Sequence, residues 1–187
     1  MRLQRVSIFW KCKLKPFYHT PTPRFISQDN TQPKISAASD LNHLEVCPTW
    51  PADEEPELRA NVLRDMRIIP NFITEQEETT LLAELEPVLK RMRYEFDHWD
   101  NFCGGVIAGL CLLSSAVMRL EHPEKKHLAV DALLERRCLY IMRGVARYNM
   151  SHSVCGTSDS VWRGATVPRR RRVAVILRQR PLTQHTQ

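Results

Sequence analysis

The spacing of apolar residues changes once along this chain, and that change divides it into a helical part and a strand part. Leu81, Leu82, Leu85, Val88, Leu89 and Met92 recur at steps of three and four, which places them on one face of a helix. Thr74-Glu75-Gln76-Glu77 ahead of them is a capping box: the Thr74 hydroxyl serves a first-turn amide and Glu77 reaches back to the cap. Acids at 75, 77 and 78 suit the positive end of the helix dipole, and Lys90, Arg91 and Arg93 suit the negative end. Pro87 has no amide to donate, so a break or kink is expected there. Upstream, Leu58, Val62 and Leu63 predict a short helix from about Glu57, Arg67-Ile68-Ile69 a short strand, and Pro70-Asn71 a turn.

Beyond the helix the runs shorten. Tyr94-Glu95-Phe96 alternates, and Val106–Leu113 is continuously apolar. Val117–Glu121, Leu128–Leu134, Cys138–Met142 and Arg172–Arg178 follow between turn residues. Short strands of this kind build an antiparallel sandwich or barrel. Helix first and strands after makes the fold class α+β.

Charge is distributed unevenly. Residues 1–28 carry Arg2, Arg5, Lys11, Lys13, Lys15 and Arg24 and no acid, while the other 21 of the 27 basic residues balance 21 acidic ones. A basic, acid-free start containing Ser7, Thr20, Thr22 and Ser27 has the composition of a mitochondrial transit peptide, which predicts a matrix protein. A basic tail or nucleic-acid-binding arm would share that composition. The neutral remainder gives little electrostatic reason to expect nucleic acid as a partner. Residues 29–56 are polar and rich in proline, with the acidic run Asp53-Glu54-Glu55, and read as a disordered linker. A domain over 57–182 and a tail over 183–187 complete the division. No apolar run approaches the roughly 20 residues of a membrane-spanning helix. Cys12, Cys47, Cys103, Cys111, Cys138 and Cys155 show no close pairing and read as reduced thiols, several of them in core strands, rather than a zinc site.

Arg172 and Arg178 are six residues apart, an even number, so on a strand both project from one face. They stand roughly 20 Å apart along it, and guanidinium groups grip carboxylates with two bonds, so a small dicarboxylate could lie between them. A surface strand closing the basic run Arg169–Arg172 explains the same spacing. His152 alone reads more readily as a structural histidine than as a metal ligand. Tyr140 on an apolar strand reads as a core aromatic with its hydroxyl at the rim.

Taken in order, several long strings resemble the AlkB family of non-haem iron oxygenases over about residues 60–180. They are Pro70-Asn71-Phe72, Glu84-Leu85-Glu86-Pro87, Arg93-Tyr94-Glu95-Phe96-Asp97-His98-Trp99-Asp100 and Phe102-Cys103-Gly104-Gly105. Ala108-Gly109-Leu110, Leu112-Leu113-Ser114 and Val117-Met118-Arg119-Leu120 continue the match. Leu139-Tyr140-Ile141, Ala146-Arg147-Tyr148, Ser151-His152 and the double-arginine strand complete it. The resemblance implies a double-stranded β-helix, or jelly-roll, after the helical region. It also implies Fe(II) held by two histidines and a carboxylate, with 2-oxoglutarate and O₂ as cosubstrates. By that likeness His152 is an iron ligand, Arg172 and Arg178 hold the carboxylates of 2-oxoglutarate, and Tyr140 hydrogen-bonds it.

The same resemblance implies a missing piece. In the family, a block with a helix and at least one core strand precedes the counterpart of Phe102 and ends in the His-x-Asp that supplies the other iron ligands. Here Asn101 joins Phe102 directly, so the jelly-roll is expected to be incomplete, the enzyme impaired, and open edges and uncovered apolar surface to remain around Val106–Leu113. His98-Trp99-Asp100 satisfies His-x-Asp but corresponds to a family string upstream of the metal motif, and is read as structural. Ala174 stands where many relatives have Asn, and no nucleotide-recognition lid precedes the strands. A protein or metabolic substrate follows from these features. A non-catalytic interaction protein is the alternative, and an RNA-associated protein using Arg169–Arg172 a weaker one.

Overall fold

The computed structural model of the protein describes residues 6–9, 41–91, 104–154 and 159–178. Its strands form two main sheets and a small hairpin. One sheet has the order β1-β11-β4-β7-β3 and the other β2-β6-β5-β8. The strands of the first are β1 (Val6–Phe9), β3 (Met66–Ile69), β4 (Val106–Leu112), β7 (Leu139–Arg143) and β11 (Val173–Arg178). Those of the second are β2 (Leu44–Val46), β5 (Ala116–Glu121), β6 (Ala129–Leu134) and β8 (Ser151–Val154). All pairings are antiparallel except β1 with β11. Among the described residues three helices accompany them: α1 (Pro56–Asp65), α2 (Glu75–Leu89) and α3 (Gly144–Tyr148). The class is α+β, as the change of period requires.

Alternation along the strands places one core between the sheets. Ile68, Ile107, Cys111, Tyr140 and Met142 of the first sheet join Leu44, Met118, Leu120, Val130 and Leu134 of the second in one buried cluster. The intervening residues of β4 and β11 face the other way. Leu112 and Val173 are buried there against Leu85 and Leu89 of α2, with Leu82, Leu110 and Val175 at the margin. Leu82, Leu85 and Leu89 of the helix thus cover the outer face of the first sheet, while Val88, expected on the same face, is exposed.

The capping box forms as expected: Thr74 N–H donates to the Glu77 carboxylate at 2.7 Å, and Glu77 N–H to the Thr74 hydroxyl at 3.2 Å. Pro87 does not break the helix, which continues to Leu89, and Lys90 N–H still donates to the Glu86 carbonyl. A proline this near the C-terminus removes one backbone bond while few remain to be lost. The open edge expected at Val106–Leu113 is not there, because β4 is central, paired with β11 on one side and β7 on the other.

Two expected boundaries shift. Residues 41–55, assigned to a linker, hold a 3-10 turn at Leu41–His43 and strand β2, and Leu44, Cys47 and Trp50 are buried. Three apolar side chains in a polar, proline-rich stretch suffice because the second sheet offers β6 as a ready edge. Val6–Phe9, inside the basic leader segment, runs alongside β11 as β1. The hairpin β9 (Ser160–Trp162) with β10 (Ala165–Val167) and the short α3 were not signalled by any period. Tyr94-Glu95-Phe96, His98, Trp99, Asp100 and the junction at 101/102 lie outside the described residues.

Candidate functional site

Arg172 precedes β11, and its guanidinium turns into the interior rather than to the surface. Nη2 donates to the Cys111 sulfur at 3.1 Å, while Nε is buried with no hydrogen-bond partner among the described residues. Leaving a buried guanidinium donor unmet is costly, so the position suits an anion. Burial would lower the affinity of Arg172 for its proton, but the charge on Cys111 and the phenol of Tyr140 outweigh it and raise that affinity. Arg172 is therefore charged at neutral pH.

Tyr140 stands on the same interior face, buried, two strands from β11. Its ring crosses directly over Gly109 of β4, where an added Cβ would collide with Cε1 and Cζ. Glycine at 109 is thus the condition for the ring's position. Ala174, where a polar residue was noted as missing, is buried and opposite Cys111 in register. The backbone of Arg178 closes β11 opposite Ile107.

His152 comes from the other sheet. It lies opposite Leu120 across the β5–β8 pair, and directly opposed residues share a face of a sheet. Leu120 is wholly buried in the core, whereas His152 is exposed, because β8 is the last strand of its sheet among the described residues. The two sheets thus direct Arg172, Tyr140 and His152 toward the same side, that of the shared core. A ferrous ion needs more than this. Among the described residues no three His, Cys, Asp or Glu side chains gather where they could hold a metal ion. The residues fit a carboxylate ligand at Arg172, and those described do not by themselves fit an iron centre.

The basic run Arg169–Arg172 does not form one surface. Arg172 is turned inward, Arg171 pairs with Glu86 of α2 at 2.5 Å, and the Arg169 amide donates to Asp159.

Two residues at this site were not singled out by sequence reasoning. Cys111 and Cys138 face one another across β4 and β7, the Cys111 amide donating to the Cys138 carbonyl at 2.9 Å. The hydrogen bond from the Cys138 thiol lowers the Cys111 thiol most. Burial opposes it, and the Arg172 guanidinium adds to the lowering. Cys138 is pushed up in turn, first by that shared hydrogen bond and then by burial. The signal was available: cysteines at 111 and 138 have the same parity as Gly109 and Tyr140 on their strands.

No family profile matches the chain. Two curated proteins do: the mouse (Mus musculus) and cattle (Bos taurus) proteins described as alpha-ketoglutarate-dependent dioxygenase alkB homolog 7, mitochondrial. Each is 33% identical to this chain over 178 positions, covering 64% of this chain and 80% of the relative. At 187 residues, 64% is about 120, so about 58 of the 178 aligned positions hold no residue of this chain.

Proposed function

This chain belongs to the mitochondrial AlkB homologue 7 family of 2-oxoglutarate-dependent dioxygenases, and from that premise we propose that it retains the cosubstrate-holding half of the site and lacks half of the iron site. The protein is mitochondrial, as its relatives are. Arg172 and Arg178 hold the carboxylates of 2-oxoglutarate, Tyr140 hydrogen-bonds it, and His152 is one iron ligand. The observation that carries the reading is the buried Nε of Arg172, a charged donor without a partner among the described residues, beside Tyr140 on the core-facing side.

Iron with 2-oxoglutarate and O₂ supplies the oxidising chemistry of the family, in which a C–H bond of the substrate is oxidised. What this chain's residues contribute is orientation. The Arg172 fork fixes one carboxylate by direction as well as charge, and the Tyr140 ring, held over Gly109, sets the wall against which the ligand lies. The two sheets are read as the faces of a jelly-roll. Residues 1–28 are read as the transit segment.

Impairment follows from the block missing between Asn101 and Phe102. The aligned positions without a residue here support it. The substrate is a protein or a metabolite. Calorimetric titration of the full chain with 2-oxoglutarate tests the reading. Binding that is lost in Arg172→Gln and weakened in Tyr140→Phe is expected. Binding indifferent to Arg172 would sink it.

A further inference from the structure

Buried cysteines are ordinarily inert, small apolar residues, but the pair beside Arg172 differs from that in three respects. Cys111 and Cys138 are opposed across adjacent antiparallel strands, one step beyond the register pair Leu110 with Leu139, and linked by the backbone bond between them. Residues opposed across an antiparallel pair have Cα atoms about 4.5–5.5 Å apart, inside the range of about 4.4–6.8 Å that a disulfide bridges. The Cys111 sulfur also receives a guanidinium proton donor at 3.1 Å, and both thiols are free. We propose that Cys111 and Cys138 form a peroxide-reactive dithiol that closes to a cross-strand disulfide beside Arg172.

The chemistry balances with hydrogen peroxide as oxidant. The Cys111 sulfur, held as thiolate by the Cys138 hydrogen bond and by Arg172, attacks one peroxide oxygen. The O–O bond breaks, and the departing oxygen takes up a proton and leaves as water, with Cys111 left as a sulfenic acid. The Cys138 sulfur then attacks the Cys111 sulfur, the S–O bond breaks, and the hydroxyl leaves with the thiol proton as a second water. Two thiols are oxidised by two electrons and one peroxide is reduced to two waters. Roles follow from position: Cys111 touches the guanidinium and is the attacking group, while Cys138, opposite it on the neighbouring strand, is the resolving one. Closure removes the negative charge facing Arg172 and leaves the guanidinium without its sulfur partner.

The test uses the full chain, reduced and then exposed briefly to hydrogen peroxide, with remaining thiols blocked by N-ethylmaleimide under denaturing conditions. Tryptic cleavage yields residues 94–119, which hold Cys103 and Cys111, and residues 138–143, which hold Cys138. The expected product joins these peptides with loss of two hydrogens, fragment ions placing the link at Cys111, and dithiothreitol reverses it. Cys138→Ser should stop at the sulfenic acid, captured by dimedone at Cys111. Arg172→Gln should slow the reaction about tenfold near pH 6.5, through a smaller thiolate fraction. Both thiols remaining fully alkylated after peroxide, or Cys138 joined to Cys103 instead, overturns the proposal. The wild-type measurement decides this alone should a variant fail to fold.

Discussion

Glu78 of α2 accepts the Leu113 amide at 2.7 Å, and Leu113 sits at φ 73, in the left-handed region that leucine rarely adopts. The same carboxylate accepts from Arg136 Nε at 2.7 Å and is almost wholly buried. One acid thus ties the helix to the turn leaving β4 and to the β6–β7 turn, and holds a strained residue between them. Glu78→Ala should cost about 3 kcal/mol, since a buried amide and a guanidinium both lose an ionised acceptor. Glu78→Gln, which keeps an acceptor for Leu113, should cost about half as much in urea unfolding. Equal losses would show that the acceptor kept for Leu113 contributes nothing and that the charge alone matters there.

Asp65 gives the pH dependence. Burial acts to raise its pKa, but the Arg64 hydrogen bond, the Val145 amide and the Arg64 and Arg143 charges outweigh it, so the folded value is depressed. Asp65 accepts the Val145 amide at 2.9 Å at the start of α3 and lies beneath Gly144, whose φ of 45 suits glycine. A depressed folded pKa contributes stability that is fully present above the unfolded value of about 3.9 and is lost as pH falls through the folded one. Asp65→Asn should therefore be less stable than wild type at pH 7, by about 1–3 kcal/mol. The gap should narrow steadily below about pH 4. A gap that stays constant down to pH 2 would contradict the assignment.

Gly109→Ala should displace the Tyr140 ring, because the new methyl would enter the ring itself. Overpacking of this kind costs about 1–3 kcal/mol. Affinity for 2-oxoglutarate should fall along with stability, whereas Gly164→Ala, in open space at the β9–β10 turn, should leave affinity unchanged. Calorimetry on both variants separates the two effects.

Much of this arrangement was legible in the sequence where one residue's chemistry decides its place. The capping box at Thr74 and the strand periods are of that kind. Legibility ended where a neighbour decides. Leu44 and Trp50 look like stray apolar residues until β6 offers them an edge, and Cys111 looks inert until Arg172 turns inward beside it. Pro87 was over-read because the cost of a proline depends on how much helix follows it.

The leader carries a sharper test, because Val6–Phe9 pairs with β11 while residues 1–28 have transit-peptide composition. Fused to a fluorescent reporter, residues 1–28 should direct it to mitochondria. A chain beginning at residue 29 should still unfold cooperatively, with a melting point lower by only a few degrees, since one four-residue edge strand is lost. A diffuse reporter signal sinks the transit reading, and loss of cooperative unfolding would make β1 part of the mature fold.

The last prediction concerns the iron site, and it is that His98 and Asp100 do not replace the missing ligands. Ligand distances at a metal centre are held to about 0.2 Å, whereas a strand slipped by even two residues moves its side chains by roughly 6.6 Å. A His-x-Asp borrowed from another part of the chain would therefore have to match the position of His152 by accident. With Fe(II) added, turnover of 2-oxoglutarate by the chain should stay at background and be unaffected by His98→Ala. Inserting between Asn101 and Phe102 the segment that the mouse relative carries at the corresponding place should raise turnover well above background. That gained turnover should vanish on His152→Ala and on Arg172→Gln, the first through iron and the second through the cosubstrate. Turnover by the chain without the insert, abolished by His98→Ala, would mean that a replacement site has formed.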